Sequence, residues 1–200
     1  MGMSSTPADH SEAFTAFLES MDDRLGSFVA HGLPETVAVG DDDRTFVKDL
    51  TPASLPWVEA YAVSRLPSPA LASAPANQRL AEDIMRYVGE TFIRTLGGSW
   101  QHDPDGPDHG MPFVRIPTPA AGSAVSDPAA DTDAEAGAGV AAGAGTEAEA
   151  AVASDAEAAE TTDVSVLGLL MTALQRRTGD VFVSVLLQTA DAESDAPSER

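Results

Sequence analysis

The chain contains no cysteine. Disulfides, thiolate nucleophiles and cysteine-ligated zinc or iron–sulfur centres are therefore excluded. Lysine occurs once, at Lys48, and the 11 basic side chains face 32 acidic ones, for a formal net charge of -21. A field of that sign repels phosphate backbones and anionic lipid surfaces, so neither nucleic acid nor a membrane is an expected partner. It attracts cationic surfaces instead. No apolar run approaches the ~20 residues of a bilayer-spanning helix, and Met1–His10 lacks the apolar centre of a secretory signal. A cytoplasmic protein is expected. Aromatic residues are only 6% of the 200, so the two tryptophans, Trp57 and Trp100, are marked positions.

Helical periodicity is what the sequence does have. Residues 1–10 are polar and expected to be disordered. From Ser11 to His31, Phe14, Phe17, Leu18, Met21, Leu25, Phe28 and Val29 recur at three- and four-residue steps, the stripe of an amphipathic helix ending at Gly32 and Pro34. Val37–Val39 reads as a short edge strand, followed by a solvated turn at Asp41–Asp43. A second helix begins near Thr51 or Ser54 and runs to about Leu66, with Leu55, Val58, Tyr61, Ala62 and Leu66 on one side. Pro67, Pro69 and Pro75 then dictate a loop. Asn77–Leu96 is the third helix, burying Leu80, Ile84, Tyr87, Val88, Phe92 and Leu96. Gly89 in its middle costs ~1 kcal/mol relative to alanine, which points to close packing there. Ser99–His102 and Met111–Ile116 are extended runs joined by a turn-rich stretch, the pattern of an antiparallel hairpin.

Residues 118–163 are almost entirely Ala, Gly, Ser, Thr, Asp and Glu, with ten acidic side chains and no basic one. Such a stretch cannot bury enough apolar surface to offset the entropy of ordering it, and a disordered insert is expected. Order resumes at Val164, where Asp163 can cap a helix carrying Val166, Leu167, Leu170, Met171 and Leu174 and ending near Arg176. Val181–Leu187 is apolar almost without break. Periodicity leaves strand and helix open there, and β-branching favours strand. Residues 164–190 thus complete the domain begun by 11–117, and 191–200 form a loose tail. The expected fold is α+β, with about four helices packed on a small antiparallel hairpin.

Several residues are candidates for chemistry. His102, Asp103, Asp105 and His109 combine imidazoles with carboxylates as zinc or ferrous sites do, although the spacing matches no calcium loop because Pro107 stands at a ligand position. Glu90 is a candidate acid or base beside Tyr87. In the plainer reading it pairs with Arg94 one helical turn on. Trp57, Trp100 and Tyr87 are candidate binding anchors. No nucleophile elbow and no phosphate-binding loop occurs, and no cofactor is expected.

Tyr87-Val88-Gly89-Glu90 followed by Leu96-Gly97-Gly98-Ser99-Trp100 resembles a core found in small bacterial domains of unknown function. There a helix with Tyr-x-Gly-Glu ends in a Gly-Gly-x-Trp turn and leads into two short strands. The resemblance spans about Leu80–Pro117 and implies a compact helix-plus-hairpin domain with no established chemistry to transfer. Charge and the missing catalytic motifs together favour a non-enzymatic protein-interaction or regulatory module with a basic protein partner. The alternative is a metal-assisted or acid–base hydrolase using Glu90 with His102 or His109.

Overall fold

The structure is a computed structural model that describes residues 7–39, 42–106, 110–117 and 161–194. Its centre is helix α5, Gln78–Leu96, which is buried on every side between Ile84 and Gly89. The apolar stripe read from the sequence accounts for one side. Met85, Arg86 and Gly89 extend burial beyond that stripe.

One flank of α5 is covered by α1 (Pro7–Glu19) and α2 (Met21–Ser27), which continues into a π turn at Phe28–Gly32. The expected single helix is thus broken at Ser20. That hydroxyl donates back to the carbonyls of Ala16 and Phe17, a bond that bends a helix, while the backbone ladder continues from Ser20 N to Ala16 O and from Arg24 N to Ser20 O. Phe17, Met21, Leu25 and Phe28 are buried as expected, whereas Leu18 is exposed. A hairpin of β1 (Thr36–Val39) and β2 (Asp42–Thr45) follows. The strand at 37–39 therefore has its partner where a turn through Asp41–Asp43 was expected.

On the other flank, α3 (Leu55–Arg65), α6 (Val166–Arg176) and α7 (Val181–Ser194) pack around α5, with the short α4 (Pro69–Ala72) inside the proline-rich connection. Leu55, Val58, Ala62 and Leu66 carry the α3 face into the core. Seven α-helices are described rather than about four. The extra ones come from the Ser20 break, from α4 and from α7.

The sheet is antiparallel and three-stranded, in the order β3 (Ser99–Gln101), β4 (Phe113–Pro117), β5 (Thr161–Val164). The expected hairpin is its β3–β4 half, with Trp100 opposite Val114. Strand β5 corrects the boundary of the acidic insert. Residues 161–163 belong to the sheet, in register Pro117↔Thr161 and Val114↔Val164. Asp163 is accordingly not a helix cap; its carboxylate takes two 2.7 Å bonds from Arg115 across the strands, and Ser165 caps α6 through Gly168. Residues 118–160 lie outside the described residues.

Val181–Leu187 is helical, against the β-branched composition. Its N-terminal amides meet a side-chain acceptor supplied by α3, described below, and Phe182 and Leu186 reach the core four residues apart. The helix extends through Asp191–Ser194, into the expected tail, and α1 likewise starts at Pro7, inside the expected disordered terminus.

Candidate functional site

The residues of the Tyr-x-Gly-Glu and Gly-Gly-x-Trp motifs meet as one packing device. Tyr87 is fully buried; its hydroxyl donates to Ser54 Oγ at 2.9 Å and accepts from the Leu50 amide at 3.2 Å. Leu50 has φ 57°, a left-handed conformation uncommon outside glycine, and the phenol fixes it. Burial raises the Tyr87 pKa, with the Ser54 and Leu50 hydrogen bonds opposing. Gly89 is open on the side where Trp100 lies: a Cβ there would collide with the indole's six-membered ring. Glu90 Oε1 accepts the Trp100 Nε1–H at 2.9 Å. Gly98 faces the Arg115 carbonyl with no room for a Cβ, at φ 94°. Gly89 and Glu90 thus seat the β3 tryptophan on α5, Gly98 lets β3 approach β4, and Tyr87 holds the Leu50–Ser54 segment. Glu90 is held by the indole rather than by Arg94, and Trp100, only 8% exposed, is core rather than a surface anchor.

His102 continues β3 two residues beyond Trp100, and both rings face α1. Its imidazole stacks on Phe14 at 5.3 Å, with His10 at 6.2 Å. His102 Nε2 is buried without a partner. Asp103 shapes the turn, accepting the Asp105 amide at 3.0 Å, and both carboxylates are exposed. His109 lies outside the described residues. Among the described residues, no three His, Asp or Glu side chains form a group able to hold a metal ion. Trp57 is half-buried, 6.5 Å from Phe46, beside a shallow depression with Thr45, Val47 and Asp49.

Two buried charges escaped the reading of the sequence. Glu59, fully buried on α3, accepts the Gly179 amide at 3.0 Å and the Phe182 amide at 3.1 Å, capping the start of α7. Burial raises its pKa, and those amide bonds oppose the rise. Its signal was present: Glu59 lies four residues after Leu55 and three before Ala62, inside the buried stripe.

The other is Arg86, 2% exposed on α5. Its Nη2 donates to the Phe17 carbonyl at 3.2 Å and to Ser20 Oγ at 3.0 Å. Nε and Nη1 have no partner. The guanidinium lies 3.9 Å from the centre of the Phe17 ring, a cation–π contact. Burial lowers its pKa, and the neighbouring Arg24 charge adds to that. Arg86 forms part of the wall of a cavity of about 380 Å³ between α1 and α5, closed at one end by Gly110–Pro112. Among the described residues no helix is long and apolar enough to cross a membrane.

Comparison with known protein families, curated proteins and solved structures gave no match.

Proposed function

We propose that this protein is a non-enzymatic, cytoplasmic regulatory module that acts by binding a basic protein partner. The observation that carries the reading is the Glu90–Trp100 hydrogen bond of 2.9 Å. It commits the best acid–base candidate to holding the sheet on α5. Tyr87 is committed in the same way, between Ser54 and Leu50. The hydrolase alternative asks Glu90 to be free for proton transfer, which needs contact with substrate or one bridging water. A net charge of -21 supplies the recognition term: complementary charge speeds association and makes it sensitive to salt.

The test is capture from source-cell lysate, comparing the full chain with a version lacking residues 118–160 at low and moderate salt. One stoichiometric, basic partner is expected, retained by both versions and weakened by salt. In parallel, ester, amide and phosphoester substrates are offered to the wild type and to Glu90→Gln. Turnover that disappears in the variant would overturn the reading in favour of the hydrolase.

A further inference from the structure

A guanidinium carries five N–H donors. In Arg86 the two on Nη2 have acceptors, and the three on Nε and Nη1 have none. Leaving buried donors of a charged group unmet is among the most expensive arrangements in a protein interior. The acidic neighbours do not relieve it. Asp83 binds Arg24 at 2.6 Å and Glu82 approaches the same Arg24 at 3.6 Å, and among the described residues no carboxylate forms an ion pair with Arg86. A buried guanidinium with no direct ion pair, supported only at a distance by Glu82 and Asp83, therefore stands at the wall of a cavity in a strongly acidic protein.

The rest of the wall restricts what fits. Phe14, Phe17, Met85 and Met111 are apolar, while His10 and Ser20 add hydrogen-bonding groups. The volume of about 380 Å³ corresponds to on the order of ten waters at ~30 Å³ each, the size of a small organic molecule. We propose that the cavity between α1 and α5 binds a small organic monocarboxylate, its carboxylate neutralising Arg86 and its hydrocarbon or aromatic body lying against Phe14, Phe17 and the two methionines. One uncompensated guanidinium calls for one negative charge. Arg24 in the same wall is already paired with Asp83 and Glu82 and adds no free positive charge, and the acidic exterior disfavours polyanions.

Access follows from what holds Arg86. Both acceptors on Nη2, Phe17 O and Ser20 Oγ, belong to the end of α1 and to the break that follows it. Nε and Nη1 are sealed from water. Reaching those donors requires the Phe17 ring, 3.9 Å from the guanidinium, to move aside. Binding is thereby coupled to the position of α1. This inference adds an effector site to the partner-binding reading and does not depend on it.

The experiment titrates the full chain with phenylacetate, with the neutral isostere phenylacetamide and with inorganic phosphate, by calorimetry and thermal unfolding. Saturable one-to-one binding of phenylacetate with a raised Tm is expected, at least tenfold tighter than the amide, and no response to phosphate. Arg86→Met weakens phenylacetate at least tenfold. Ala16→Trp, which fills the mouth of the cavity and leaves Arg86 in place, removes binding in a folded protein should Arg86→Met misfold. Equal binding of the amide overturns the anion assignment. A response to phosphate alone reassigns Arg86 to an inorganic oxyanion and overturns the carboxylate. No binding of any probe overturns the site, while leaving the capture result untouched.

Discussion

Helix α5 carries Arg86 and Glu90 one turn apart on the same stripe, and the two side chains are satisfied differently. Toward β3, Glu90 and the Trp100 indole satisfy each other and Gly89 is cut away to admit the ring; toward Leu50 and Ser54, Tyr87 spends both its donor and its acceptor. Toward α1, Arg86 has a cavity beside it and three N–H donors without acceptors. A protein interior tolerates polar groups when they are paired. Glu90 and Tyr87 are therefore complete as architecture, whereas Arg86 keeps three donors unmet. Candidate sites chosen by residue type, such as Glu90 and Tyr87, fell on the satisfied groups.

The contrast can be broken most forcefully at Gly89. Gly89→Ala gains about 1 kcal/mol of helix propensity but drives a methyl into the Trp100 ring, a strain of ~1–3 kcal/mol that moves the sheet. A net loss of stability is expected in urea unfolding. Trp100→Leu in the same chain is expected to recover part of it, and strict additivity of the two losses would show that the residues do not form one unit.

Glu90 offers the next largest effect. Glu90→Leu leaves the indole N–H without its acceptor, at ~1–3 kcal/mol, whereas Glu90→Gln keeps an acceptor oxygen and stays within ~0.5 kcal/mol of the wild type. A glutamine variant as unstable as the leucine variant would mean that the charge, not the hydrogen bond, holds Trp100.

At Arg86 the sign reverses. Arg86→Met removes an uncompensated buried charge and keeps the packing volume, so the ligand-free protein gains about 1 kcal/mol. A loss of that size instead would identify Arg86 as a structural strut between α5 and the end of α1.

Glu59 gives the smallest effect and sharpens the contrast, because its buried charge is met by backbone amides alone. Its pKa is raised in the fold, so the folded protein holds this proton more tightly than the unfolded chain does. The associated stability is full below the ordinary value of 4.5 and is lost as pH climbs through the raised one. The Tm of the wild type relative to Glu59→Gln is expected to improve as pH falls from neutral toward 4.5. A difference that is flat with pH would show that Glu59 titrates alike in both states.

The sequence carried the helices well where one face is apolar: α3, α5 and α6 were legible from three- and four-residue spacing, and the β3–β4 hairpin from its turn. It carried less where tertiary contacts decide. Val181–Leu187 has the composition of a strand and becomes a helix, with Glu59 of a distant segment receiving its first amides. Strand β5 was hidden because Thr161-Thr162-Asp163 continues the acidic composition before it and is recognisable only by its pairing with β4. Gly89 announced close packing, though not the identity of its neighbour. Arg86 gave no local sign, since an arginine between Met85 and Tyr87 reads as one more solvated charge until the all-round burial of α5 is known.

The pairing of Pro117 with Thr161 places two points far apart in sequence at adjacent positions of an antiparallel ladder, with Cα atoms ~5 Å apart. For the rest of the domain, everything between them amounts to a closed detour that begins and ends at one spot. The entropic cost of closing a chain segment grows only logarithmically with its length, at ~0.6 kcal/mol per doubling. Sequence can accumulate or be lost there with little consequence for the core. The same geometry makes this junction a port: a foreign domain with neighbouring termini can be spliced in, or the chain reopened there as a circular permutant, with the sheet left to re-form around it.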